Sequence, residues 1–536
     1  MSALDTASAR DAIAAGRASL GIELGSTRIK ACLVAANGAV LAVGSHEWEN
    51  SFVDRMWTYP LDEVWAGLRA AYAALATAVR ERYDVALESL ASAGVSAMMH
   101  GYLAFDARGE LLVPFRTWRN TTTGAAAEEL SELFGVNIPL RWSIAHYRQA
   151  MRDAEPHVAR IHRLTTLAGY VHEALTGRDV LGVGDASGMF PIDPATGSYD
   201  AELVARFDAL AGDTAPRPLL ELLPEVLTAG ADAGELTPAG AALLDPAGAL
   251  RPGAVFCPPE GDAGTGMVAT GAVAPRTGNV SAGTSIFAMI VLERPLSAPH
   301  DELDIVTTPA GDPVAMVHCN NGASELAAWV GVFQRFADLI GSPLPPDVVY
   351  QALFTEALAA SPDAGGILSY NHLSGEPIAG LEEGRPLVLR TPDSELTLAN
   401  FLRSQLSGVF ATLSLGMRVL DDEGVEVDRM LAHGGIFRTA GVAQKVLAAA
   451  LDVAVSVERR ASEGGAWGIA VLAAYTAARR GGQTDASLPD YLSEVVFADA
   501  QFTTVQPDPS DVAGYTSYLE RYRAGLAAER AAVTAL

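Results

Sequence analysis

One stretch, FCPPEGDAGTGMVATGAVAPRTGNVSAGTSIF from Phe256 to Phe287, limits what this chain can fold into more than any other. A lone acid stands among glycines (Gly261-Asp262-Ala263-Gly264), a run of small residues suited to a helix follows, and a glycine hairpin, Ser281-Ala282-Gly283-Thr284-Ser285, comes next. Glycine lets backbone approach a ligand closely, and a turn of N–H groups beside hydroxyls is a simple way to hold phosphate oxygens. An acid that reaches a substrate hydroxyl and a loop that grips phosphate belong on either side of one cleft. Two lobes built around that cleft are the expectation.

The length of 536 residues supports this, since it exceeds what one hydrophobic core usually organises. With 64 acidic against 37 basic residues, the net charge of -27 argues against nucleic acid or an anionic membrane as partner. A polyanionic nucleotide would have to be held by backbone amides, a metal ion and locally placed residues. Cys32, Cys257 and Cys319 lie in apolar or glycine-rich runs without ligand spacing, which suits reduced core thiols. The first residues lack the apolar run of a signal peptide, and the best membrane candidate, Ala466 to Ala478, is short and ends in Arg479-Arg480. A cytoplasmic protein is expected, and a homodimer is left open.

Taken in order, Leu20 to Trp48 reads as strand, Gly25-Ser26-Thr27 turn, strand, Asn37-Gly38 hairpin and strand, with Glu23 near the first strand end. Met99-His100-Gly101 interrupts an apolar strand run; a lone histidine there is more often a satisfied core residue. Phe115 to Thr123 clusters Arg116, Trp118, Arg119, Asn120 and hydroxyls, a loop suited to a polyhydroxylated ligand. Gly182 to Gly188 reads as another glycine-rich loop carrying one acid, Asp185. Asn400 to Leu420 predicts a long amphipathic helix, Met430 to Gly435 a strand ending in paired glycines, and Gln444 to Val457 a helix then a strand. Ser462 to Ala478 enters a small-residue helix. Gly264 to Ala269 matches a loose G-x-G-x-x-A pattern but lacks the acid about 20 residues on, and no G-x-x-x-x-G-K-[ST] occurs, so Rossmann and Walker readings are set aside.

In their order along the chain these segments resemble the FGGY carbohydrate kinases of the sugar kinase, actin and Hsp70-like superfamily. Gly21 to Lys30 resembles the first phosphate hairpin, Met99-His100-Gly101 a sugar-contacting strand end, and Thr117 to Asn120 the W-x-D sugar loop. Gly261-Asp262 resembles the catalytic-acid segment, Gly278 to Ser285 the second phosphate hairpin, and Gly434 to Glu463 the adenosine segment. The resemblance implies an α/β protein of two actin-like (ribonuclease H-like) lobes with the site in the cleft. Residues 1–18 would be an N-terminal extension, 19–273 the sugar-binding and catalytic lobe, and 274–536 the nucleotide lobe.

It further implies phosphoryl transfer from ATP to a small sugar, with Asp262 as base and with Mg2+ held by Glu23 and Asp262. Met99, His100, Trp118, Arg119 and Asn120 would contact the sugar. Gly25, Ser26, Thr27, Gly283, Thr284 and Ser285 would hold phosphate oxygens beside Lys30, and Gly434, Gly435 and Gln444 would border adenosine. Two positions depart from the family: Glu23 replaces an Asp in the first hairpin, and Asn120 an Asp in the sugar loop. Met-His-Gly leans toward ketopentose kinases such as xylulokinase. The alternatives are an ATP-binding regulator of the same superfamily and a hexulose or polyol kinase; for Asp262 the other role is a helix N-cap.

Overall fold

The computed structural model describes residues 5–458 and 464–535. The chain divides into two compact units, one of Met1–Ala274, Ile305–Val314 and Ala461–Ala500, the other of Pro275–Asp304, Ala315–Arg460 and Gln501–Leu536.

A six-stranded sheet organises the first unit. β1 (Ser19–Leu24) is antiparallel to β2 (Arg28–Val34), and β2 to β3 (Val40–Glu47). On its other side β1 runs parallel to β4 (Ser92–Ala97), which runs parallel to β5 (Val255–Phe256) and β6 (Glu260–Gly261). Turn chemistry sets the two reversals: Gly25-Ser26-Thr27 ends one apolar run and Asn37-Gly38, with Gly38 at φ 78°, ends the next. The helix Leu61–Tyr83 covers this sheet because Val64, Leu68, Ala71, Tyr72, Leu75 and Val79 recur at helical spacing and are buried. Asp62 and Glu63 complement its N-terminal dipole, Arg80 and Arg82 its C-terminal one, and Asp84 ends it in the left-handed region at φ 51°.

Residues 5–18 belong to this core. A helix, Thr6–Ala14, is capped by the Asp5 carboxylate accepting the Ser8 N–H at 2.8 Å, and it buries Ala9 and Ile13. The sequence division also needs correction further on, because 461–500 groups with the first unit and not the second. The reason is close packing of the helix Gly465–Arg480 on β1: a Cβ on Gly21 would collide with the Ala466 carbonyl oxygen, so only glycine admits the helix at that distance.

In the second unit, β7 (Thr277–Ala282) is antiparallel to β8 (Ile286–Val291) and parallel to β9 (Arg429–His433). β9 runs parallel to β10 (Ala454–Glu458), and β10 is antiparallel to β11 (Phe502–Val505). As in the first sheet, a tight antiparallel hairpin sits beside parallel strands. The helix Leu398–Asp422 is buried along most of its length and starts at Thr397, whose hydroxyl oxygen accepts the Asn400 N–H. The C-terminal helix, Pro509–Ala535, adds Tyr515, Tyr518 and Tyr522 to the core and pairs Glu529 with His372 at 2.9 Å, both fully buried.

Candidate active site

β6 delivers Gly261 to the head of the helix Asp262–Thr270, where Asp262 is the first helical residue and Gly261 holds the cap position. The N-cap role considered for Asp262 is therefore not adopted. Its Oδ1 instead accepts the Met99 N–H at 3.1 Å, just beyond the end of β4. Asp262 has solvent-accessible surface, yet enough protein surrounds it that loss of water holds its carboxyl above the usual range, against the pull of the Met99 and Ala263 N–H groups.

A second acid lies within its field. Burial first, and then the charge of Asp262, push the Glu23 carboxyl up to about 7, while Lys30 and the Ala466 N–H draw it down. Lys30 stands opposite Glu23 in the β1–β2 ladder, and Ala466 N donates to Glu23 Oε2 at 3.1 Å. Two carboxylates whose mutual repulsion a cation would relieve form a donor set suited to Mg2+, which keeps waters and substrate phosphates as its other ligands. Among the described residues, no group of three or more His, Cys, Asp and Glu has a metal-holding arrangement.

Two further acids gather here, neither of them among the expected site residues. Gly182 to Gly188 is not the loop expected, since Val183–Ala186 forms a short helix and Asp185 is buried. Asp185 accepts the Thr166 hydroxyl at 2.6 Å, and its carboxyl is pushed up to about 7 by burial, with Asp262 adding to the rise. Glu260, also buried, accepts the Asp185 N–H at 3.0 Å, and burial raises its carboxyl well above the ordinary range. The signal available in sequence was an acid embedded in a run of glycine and small apolar residues, a setting in which carboxylates are seldom solvated.

Among the proposed sugar contacts, Met99 meets Asp262 through its N–H. His100 is buried at φ 70°, with Nδ1 3.4 Å from the Gly188 carbonyl oxygen and its ring parallel to that of Trp142. A non-glycine residue in the left-handed region is strained backbone, which gathers at functional sites. Trp118 keeps an exposed ring, and the Arg119 guanidinium stacks over Trp57, 4.3 Å from the ring centroid. Asn120 is placed differently from the expectation: it is buried, its Oδ1 accepts the Trp57 N–H, and its Nδ2 donates to the Trp57 and Thr117 carbonyls. The amide clamps the sugar loop to Trp57, and this explains the departure from Asp, which could not donate.

At the first hairpin, Trp48 Nε1 donates to the Gly25 carbonyl and the Tyr59 hydroxyl to that of Ser26, both at 2.7 Å, which pins the turn and leaves Thr27 exposed. At the second, Gly322 N and Ala323 N donate to the carbonyls of Thr284 and Gly283, and both hairpin residues are exposed while Ser285 is half-buried. Beside it lies a cavity of about 740 Å³ lined by Gly283, Leu326, Tyr350, Gln351, Gly435 and Ile436. Gly434 adopts φ 120°, and a Cβ there would collide with the Ala282 carbonyl. Gln444 does not line that cavity: it is buried, and its amide donates to the carbonyls of Val455 and Thr503, tying a helix to two strands. Ser462 and Glu463, expected within the adenosine segment, lie outside the described residues.

A model of the FGGY family of carbohydrate kinases, N-terminal domain, matches residues 18–247, and one of the C-terminal domain matches residues 278–477. The chain belongs to the FGGY family of carbohydrate kinases. It is accordingly a sugar phosphotransferase, for which ATP is the implied phosphate donor. A xylulose kinase of Klebsiella pneumoniae is 23% identical over 429 residues, covering 78% of this chain and 81% of the relative. A xylulose kinase of Streptomyces coelicolor is 29% identical over 226 residues, covering 40% of this chain and 43% of the relative's length. The crystal structure of xylulose kinase from Rhodospirillum rubrum is similar with a TM-score of 0.76 and 22% identity, covering 96% of this chain and 99% of that one. That likeness carries the fold, a two-domain α/β protein of the actin-like type. No helix among the described residues is long and apolar enough to cross a membrane.

Proposed function

We propose that this FGGY kinase transfers the γ-phosphoryl group of ATP to a hydroxyl of a ketopentose, with Asp262 as the general base. The observation that carries the reading is the setting of Asp262, a solvent-reached carboxylate anchored by the Met99 N–H. Loss of water raises its carboxyl, so its carboxylate is a better proton acceptor than a free aspartate. The sugar is gripped at His100 and against the exposed ring of Trp118, with Arg119 held in place by Trp57. As the sugar oxygen attacks phosphorus, its proton passes to Asp262, and the bond from phosphorus to the bridging oxygen of ADP breaks. The tips of the two hairpins, Ser26-Thr27 and Thr284-Ser285, hold phosphate oxygens, and Lys30 supplies a fixed positive charge. Mg2+ held by Glu23 and Asp262, directly or through water, would neutralise phosphate charge and lower the cost of bringing ATP to these carboxylates. The names of the relatives support xylulose or a similar pentulose as acceptor.

The test is ADP release with Mg-ATP across ketopentoses, ketohexoses, alditols and sugar acids, on the wild type and on Asp262→Asn. Turnover that depends on a ketopentose and drops by about 10² to 10⁴ in the variant is expected. A preference for a hexulose or polyol would move the acceptor to that class. Sugar-independent ADP release that is equal in both proteins would overturn the base assignment and favour the regulator reading.

A further inference from the structure

The two hairpins are held in different ways. Side chains reach the carbonyls of the first, from Trp48 and Tyr59, whereas main chain holds the second: Gly322 N donates to the Thr284 carbonyl at 2.7 Å and Ala323 N to that of Gly283 at 2.8 Å. Residues 320–323 are a short link between the strand Pro313–Cys319 and the helix Ser324–Leu339, with no regular structure of their own. Such a link fixes a turn only if something else fixes the link.

Asn321 does so. It is buried, and all its hydrogen-bonding groups are engaged. Its Oδ1 accepts the N–H groups of Leu373 and Ser374 at 2.9 and 3.0 Å, and its carbonyl accepts Asn371 Nδ2 at 3.4 Å. Its Nδ2 and its backbone N both donate to Glu376 Oε2, at 3.1 and 3.2 Å. Asn371 Nδ2 also donates to the Gly322 carbonyl at 2.8 Å, so one loop, 371–376, grips the link from Asn321 to Gly322. Glu376 is fully buried; burial raises its carboxyl above the ordinary range, and the Asn321 side chain draws it back. An apolar residue would fill such a place more cheaply if packing were all that mattered. What the acid gains is a fixed acceptor for the amide that stands directly behind the phosphate turn. We propose that Asn321, held by Glu376, is the residue that positions the second hairpin for the nucleotide. The proposal rests on the reading of Gly283-Thr284-Ser285 as a phosphate hairpin, and both residues act through that hairpin. Loosening them should therefore weaken the nucleotide and spare the sugar.

Titration calorimetry with Mg-ADP, beside the KM for the ketopentose, tests it. Thr284→Ala alters the hairpin itself and should weaken Mg-ADP about tenfold. Asn321→Asp keeps the bonds to Oδ1 but turns the donor into an oxygen facing Glu376. It should also weaken Mg-ADP about tenfold while the sugar KM stays within about twofold. Adding Glu376→Gln gives a donor back to the pair and should recover most of that loss. Asn371→Ala, which frees the carbonyls of Asn321 and Gly322, should act in the same direction by a smaller factor, and it carries the test if Asn321→Asp does not fold. If Thr284→Ala binds Mg-ADP as the wild type does, the hairpin reading fails and the proposal with it. If Thr284→Ala weakens binding while Asn321→Asp and Asn371→Ala do not, the proposal alone is overturned. It is overturned too if Asn321→Asp raises the sugar KM as much as it weakens Mg-ADP, or if Glu376→Gln restores nothing.

Discussion

The two glycine hairpins make an instructive pair, because they share a turn and differ in what stands behind it. Gly25-Ser26-Thr27 and Gly283-Thr284-Ser285 each close an antiparallel pair next to a parallel strand. Two residues before the first turn stands Glu23; two residues before the second stands Ser281. In the first unit Asp262 acts on Glu23 and on Asp185, and Asp185 on Glu260, four acids whose carboxyls burial raises. The second unit has a hollow beside its turn, lined largely by small and apolar side chains and main chain. One repeated hairpin thus serves electrostatics in one unit and shape in the other. The strand residue two places upstream makes much of that difference.

The sharpest way to break this comparison is to exchange what stands upstream. Glu23→Gln is expected to lower kcat by on the order of 10², with the sugar KM little changed. Ser281→Ala should change kcat less than about threefold, and steady-state kinetics of both variants decides the matter. Equal losses would mean that the two hairpins do the same work. A smaller effect, of the other kind, is expected from Gly434→Ala. A side chain there presses on the Ala282 carbonyl from a left-handed backbone, a strain of about 1–3 kcal/mol that should raise the KM for ATP about tenfold and leave that for the sugar alone.

The smallest effect is one of pH. Because the folded value of Asp185 is about 7, against an ordinary 3.8, the fold keeps a proton that the unfolded chain has released between about pH 4 and pH 7. Its stabilisation is complete below pH 4 and lost as pH rises through 7. Thermal unfolding of Asp185→Asn followed over that window should show a slope of stability against pH that is shallower by about one proton. An unchanged slope would show that Asp185 is ionised in the folded protein.

Local chemistry made parts of this site legible in advance. The turn at Gly25 to Thr27 and the glycines flanking Asp262 announce themselves within a few residues, because backbone geometry there is decided by neighbours in the chain. Asp185 and Glu260 could not be read in this way. The run of glycine and small apolar residues hints at their burial, but their meeting across 75 residues of sequence leaves no local pattern. Asn120, in a polar loop, and Gln444, through the family resemblance, are expected to touch ligands, but amides suit backbone equally well. The carbonyls that engage them lie 63 and 59 residues away, and only the fold reveals them. The fold class was legible through the family resemblance that the order of the glycine-rich segments carries, whereas the return of 461–500 to the first unit was not, since helix periodicity does not say which sheet a helix covers.

That return has a consequence for how the molecule is made. Gly21 is shaped to receive the carbonyl of Ala466, more than 440 residues later. During synthesis the first sheet therefore waits, one face lacking its covering helix, until nearly the whole polypeptide has left the ribosome. A truncated product ending near Ala274 would carry Asp262 and every proposed sugar contact and still expose the apolar faces of β1 and β4. Such a fragment is a candidate for chaperone binding or aggregation rather than for a smaller working enzyme.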